Sequence, residues 1–160
     1  MHSAEKHDKS IKGRMVYNGK PTQEWLTRED STSPTAALES IMLTAIVDAK
    51  EGRDVMSCDI PNAYIQAELP NLGPDDEQVI MKITGVLVDL LVSISPEIYG
   101  PYVVTENHKR VLYVQVLRSL YGMLYSGMLW YTKLRNDLEG HIYVFNPYDP
   151  CVTNTIVRHK

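Results

Sequence analysis

Three observations predict a mixed α+β fold for this 160-residue chain. Leu38, Ile41, Met42, Ala45, Ile46 and Ala49 recur at three- and four-residue spacing, which puts them on one face of a helix. Val111-Leu112-Tyr113-Val114-Gln115-Val116-Leu117 alternates as a strand does, and Gln78-Val79-Ile80-Met81-Lys82-Ile83 is a second β-rich run. With 44% apolar and 22% charged residues, the composition is that of one globular domain with its own core. No apolar run reaches the roughly 18 residues of a membrane span. Met1 to Lys12 is charged where a signal peptide would be apolar. These features predict a soluble, intracellular chain with no membrane partner. Cys58 and Cys151 show no metal-ligand spacing with the histidines and read as reduced, half-buried thiols.

Taken in order, residues 1–10 lack an apolar period and are expected to be a disordered lead-in, with the folded domain over 11–160. Ile11 to Val16 alternates basic and apolar residues before Asn18-Gly19, a strand followed by a turn. Pro21 to Thr32 is a polar connector. Ser33-Pro34 supplies a capping hydroxyl and a proline at the first helical position, so a helix is expected over Pro34–Lys50 with its apolar face packed on the sheet. Val55-Met56-Ser57-Cys58 reads as the next strand, and Pro61 stops it just beyond Asp59. Leu69 to Glu77 is a proline-rich acidic loop, where Asp75, Asp76 and Glu77 are expected to be solvated. Gly85 to Ile94 is apolar and Ser95 to Tyr102 turn-rich, and neither yields a definite element. A helix running to about Gly140 follows Tyr121-Gly122, with Met123, Gly127, Trp130, Tyr131, Leu134 and Leu138 as its buried stripe. His141 to Phe145 reads as a strand.

Asp59 is the most informative residue. A carboxylate at a strand end has two readings: it caps the next turn and faces water, or it projects into a cleft as a hard oxygen ligand for magnesium and substrate phosphates. If Asn62 to Ala67 is helical, Tyr64 lies beside the same cleft with its ring flat against a sugar. Charge distribution bears on the choice. Residues 1–28 carry six basic and three acidic side chains, 29–98 three and thirteen, and 99–160 seven and four. An acidic centre between basic ends suits a metal-binding middle flanked by phosphate contacts, although an ordinary mixed surface gives the same asymmetry. The net charge of -4 argues against nucleic-acid binding carried by charge alone.

Asp59, the turn residue after it and the Ala63-Tyr64 pair resemble motif A of the reverse transcriptases of Ty1/copia-type retrotransposons. Lys12-Gly13-Arg14-Met15-Val16 is similar to the fingers strand Lys-Ala-Arg-Leu-Val of that family. Gln78 to Ile83 is similar to its Val-Tyr-Met-Lys segment, and Asp149-Pro150-Cys151-Val152 to its Asp-Pro-Cys-Leu. Outside motif A the most specific match is Ser119-Leu120-Tyr121-Gly122 with Trp130 and Tyr131, in register with Lys-Ser-Leu-Tyr-Gly-Leu-Lys-Gln-Ala-Pro-Arg-Ala-Trp-Tyr.

The resemblance, over about 11–157, implies fingers and part of the palm of an RNA-directed DNA polymerase: an incomplete antiparallel sheet with packed helices. It implies Asp59 as catalytic residue and Mg2+ ligand, aided by the Ile60 carbonyl. Tyr64 would exclude a ribose 2'-hydroxyl, Tyr121 and Gly122 would line the nucleotide pocket, and Lys12 and Arg14 would approach the triphosphate. The implied partners are a template-primer of RNA or DNA and a deoxynucleoside triphosphate, in the cytoplasm or in retroelement particles. An open palm also leaves strand edges able to self-associate. Two departures stand out. Leu124, Tyr125, Ser126, Gly127 and Met128 replace Lys-Gln-Ala-Pro-Arg, so basic groups are missing there. The family's Tyr-x-Asp-Asp hairpin is expected beyond Asp149 and does not occur before Lys160. The expectation is therefore a polymerase fragment inactive by itself, or a noncatalytic remnant serving as a binding module.

Overall fold

A computed structural model describes residues 2–5, 9, 11–14, 16–20, 26–70 and 78–155, with the backbone alone for 2–5, 11–14 and 30. The acidic loop expected over Leu69 to Glu77 lies outside the described residues from 71 onward. The chain is mixed α and β with small antiparallel sheets, as its periodicities predict. It divides into two compact units, one formed by Met1–Ala67 with Ser119–Lys160, the other by Glu68–Arg118.

In the first unit, β1 (His2–Glu5) pairs antiparallel with β2 (Ile11–Arg14). This departs from the disordered lead-in expected over 1–10. Polarity removes the apolar period from His2–Glu5 but leaves its backbone N–H and C=O groups free to form a ladder. The strand over Ile11–Arg14 occurs, paired with the strand that precedes it. The polar connector contains one helical turn, α1 (Arg28–Ser31).

Helix α2 (Leu38–Glu51) begins later than Ser33-Pro34 promised; Ala37 occupies its N-cap, and Gly52 closes it in the left-handed conformation at φ 64°. None of its residues is buried. Leu38 is 62% exposed and Ile41 55%, so the apolar face is not core in this structure. The cause lies a few residues on. Val55 to Cys58 forms no strand and is exposed throughout, Cys58 included, so it offers α2 no sheet surface to cover.

After a turn at Pro61-Asn62, α3 (Ala63–Gln66) supplies the short helix expected around Tyr64, with Asn62 as its N-cap residue in the left-handed region. Helix α6 (Ser126–Gly140) matches its expected span. Its stripe residues Trp130, Tyr131, Leu134 and Leu138 are half-buried, while Met123, just ahead of the helix, is buried. The strand expected over His141 to Phe145 shortens to β6 (Val144–Phe145), paired with β7 (Thr153–Asn154). Ile142, at φ 67°, breaks the extended backbone before it.

The second unit is a three-stranded antiparallel sheet of order β3-β5-β4, from β3 (Ile80–Thr84), β4 (Val103–Glu106) and β5 (Lys109–Gln115). The central strand β5 buries Val111 and Leu112, and Val88 of α4 (Val86–Ile94) is fully buried. The region without definite elements, Gly85 to Tyr102, thus holds α4, a short α5 (Pro96–Tyr99) and a 3-10 turn, and β4 follows it. Its hairpin signal is Asn107-His108. Both residues have positive φ, 47° and 61°, as a two-residue turn of the primed type requires.

Candidate functional site

The first unit brings together three of the segments singled out from the sequence. The rings of Tyr64 on α3 and Tyr121 lie 5.0 Å apart between centroids and are tilted by 43°. That arrangement falls within the range favoured by aromatic pairs. The third segment, Val16 to Gly19, continues from β2. Tyr17 donates its backbone N–H to the Tyr121 carbonyl at 2.7 Å. Gly122, at φ +95°, lies so close to this segment that a Cβ would collide with the Tyr17 carbonyl and come within 2.6 Å of Val16 Cγ1. A glycine is required here on both counts, close approach and backbone conformation.

Beneath Tyr121 the chain is fixed by two buried hydroxyls. Ser119 and Ser126 are 0% and 1% exposed. Ser119 Oγ donates to Ser126 Oγ at 2.7 Å, and Ser126 Oγ donates to the Leu120 carbonyl at 2.7 Å. The Ser119 N–H donates to the Ala67 carbonyl, which fastens the end of α3's segment to the start of the Ser-Leu-Tyr-Gly run. Ser119 therefore has a positioning role that its place in the run did not disclose. The role of Ser126 has no signal in the sequence, where it stands in place of the alanine of Lys-Gln-Ala-Pro-Arg. Burial pushes the Tyr125 phenol above its ordinary range, and Tyr17 adds to the shift.

Asp59 is exposed and lies in irregular backbone between Gly52 and Pro61, not at the end of a strand. Ile60 beside it is 38% exposed. Among the described residues no group of three His, Cys, Asp or Glu side chains is placed to hold a metal ion. Asp59 and the Ile60 carbonyl by themselves fall short of a donor set for two magnesium ions, which need carboxylates on more than one side. Lys12 and Arg14 are backbone positions on β2, two residues or more ahead of the Val16 contact, and only their place in the strand is described.

Asp149 has a defined structural task. It is 6% exposed, and its carboxylate accepts the Ala37 N–H at 3.0 Å and the Cys151 N–H at 2.9 Å. The Ser40 hydroxyl, then the Cys151 and Ala37 amides, hold its carboxyl below the usual carboxylate range. It caps the start of α2 from a distant part of the chain, which a residue-by-residue reading misses. The local signal is Asp149-Pro150-Cys151, in which an aspartate accepts the amide two residues on.

No family model matches the sequence, and neither a curated protein nor a solved structure matches it.

Proposed function

We propose that this chain is the fingers and first palm segment of a retrotransposon RNA-directed DNA polymerase of the Ty1/copia type. The observation that carries the reading is the meeting of Tyr64 and Tyr121. Each belongs to a separate motif of the resemblance, and the two motifs lie more than fifty residues apart in the sequence. The Gly122 contact with the segment following Lys12 and Arg14 adds the third motif to the same neighbourhood. In this reading Tyr64 bounds the sugar, Tyr121 and Gly122 line the nucleotide pocket, and Lys12 and Arg14 approach the triphosphate. Asp59 and the Ile60 carbonyl form one edge of the magnesium site in the complete polymerase, with further carboxylates contributed from outside the described residues. Template-primer and deoxynucleoside triphosphate are the proposed partners.

A second reading, a noncatalytic remnant acting as a binding module, is favoured by the exposed, irregular run of Val55 to Cys58 next to Asp59. Primer extension separates the two. A polypeptide extended through the downstream coding sequence should incorporate deoxynucleotides on a primed template in magnesium and lose this activity in Asp59→Asn. A stop codon with no downstream Tyr-x-Asp-Asp codons, or no incorporation by the extended polypeptide, would reject the polymerase reading, and activity that survives Asp59→Asn would reject Asp59 as its metal ligand.

A further inference from the structure

The first unit contains a cavity of about 350 Å³ on the flank of α6, bounded by Trp130, Tyr131, Leu134 and Arg135 of the helix and by Phe145 and Tyr64. That volume lies in the range of small-molecule sites, which are mostly apolar with a few placed polar groups. Among the described residues that line it, Arg135 carries the one charged side chain. Its guanidinium carbon stands 4.8 Å from the Phe145 ring centroid, held by Nε to Glu139 at 3.0 Å and by Nη1 to the Tyr131 hydroxyl at 3.4 Å. Those two bonds leave further guanidinium donors for a ligand.

The walls are fixed before any ligand arrives. Tyr131 donates its hydroxyl hydrogen to the Pro150 carbonyl at 3.1 Å, tying α6 to the Pro150-Cys151 turn. Asp149 ties that turn to Ala37, next to the Ser33 to Ala36 wall. Its carboxylate is occupied by these amides and does not line the cavity. Cys151 does line it, and burial followed by the Asp149 charge pushes its thiol up, so it stays neutral. A preformed aromatic slot whose described lining holds one guanidinium, ion-paired to Glu139 through Nε, suits a flat apolar molecule whose acceptor oxygens at one end meet the remaining Nη donors.

The geometry points to a binding site for a small aromatic carboxylate, its ring against Trp130, Leu134 and Phe145 and its carboxylate on Arg135. The assignment rests on α6 and Arg135 and not on the polymerase reading, although the cavity shares Tyr64 with the nucleotide pocket of that reading. The test uses the full 160-residue chain and 2-naphthoate as probe, followed by backbone and indole N–H NMR shifts. Saturable shifts at Trp130 and Gly127 are expected, with about tenfold weaker binding in Arg135→Gln, from loss of a charge-assisted bond, and affinity largely restored in Arg135→Lys. The cation 2-naphthylmethylammonium should bind the unmodified chain at least tenfold more weakly, a comparison that needs no variant to fold. Equal affinity for the two probes, no saturable binding of 2-naphthoate, or shifts confined to residues outside the cavity would overturn the assignment.

Discussion

Tyr64 and Tyr121, more than fifty residues apart in sequence, place their rings 5.0 Å from each other in one compact unit. The contact joins the segment after Asp59 to the Ser-Leu-Tyr-Gly run, and the structure supports it from below. Ala67 at the end of α3's segment accepts the Ser119 N–H, and the Ser119 and Ser126 hydroxyls close the turn on which Tyr121 sits.

The hydroxyl pair should therefore be structural. Ser126→Ala leaves the buried Ser119 Oγ without its acceptor and removes the shorter of two hydrogen bonds to the Leu120 carbonyl, which keeps the Met123 N–H at 3.3 Å. A loss of about 1–3 kcal/mol is expected. Chemical denaturation with an unchanged slope and a lowered midpoint would register it; an unmoved midpoint would show that the buried bond is replaceable.

Gly122 should tolerate no side chain. Gly122→Ala adds a Cβ against the Tyr17 carbonyl at a positive φ, so destabilisation above about 1 kcal/mol is expected. Gly52→Ala is the instructive comparison, because its positive φ carries the backbone penalty but nothing lies within 4 Å of the added carbon. Gly122→Ala should be the more harmful of the two in thermal unfolding, and the reverse order would deny the close approach.

Much of this was legible in the sequence, for a physical reason. The α6 span, the β5 strand and the β3 strand follow from side-chain periodicity, which local structure largely determines. The short helix at Tyr64 follows from Pro61-Asn62. The errors came where burial depends on a distant partner. The periodicity of Leu38 and Ile41 identifies a helix and an apolar face, but it cannot say what covers that face. With Val55 to Cys58 outside any sheet, that face is open. Asp59 fails as a strand-end residue for the same reason. The structural roles of Asp149 and Ser126 are not legible in the sequence because their partners, Ala37 and Ser119, are remote or hidden within a motif valued for its tyrosine. The strand β4 was missed although Asn107-His108 carried a readable turn signal.

Exposure of α2 sets its own expectation. Leu38→Ala and Ile41→Ala should each change stability by no more than about 0.5 kcal/mol, as at other exposed positions. A loss of several kcal/mol in urea titrations would mean that the helix face is covered in solution.

Asp149 gives the unit a pH dependence with a definite sign. Its folded carboxyl is more acidic than its unfolded one, so its stabilisation is complete above the ordinary carboxylate value of about 3.9. It is lost as pH falls through the lower folded value. Asp149→Asn should lower the thermal midpoint near neutrality and flatten the part of the midpoint's fall below about pH 4 that this group causes. Superimposable acid limbs for the two proteins would exclude Asp149 as a contributor.

The most direct test of the polymerase reading is sugar selection at Tyr64, measured in the chain extended through its downstream coding sequence. An aromatic ring against the sugar leaves room for a hydrogen at C2' but not for a hydroxyl. Tyr64→Val should therefore raise ribonucleotide incorporation relative to deoxyribonucleotide in a competitive primer-extension assay, while Asp59→Asn abolishes both. An active Tyr64→Val enzyme with unchanged preference would contradict the account and leave Tyr64 as a packing partner of Tyr121.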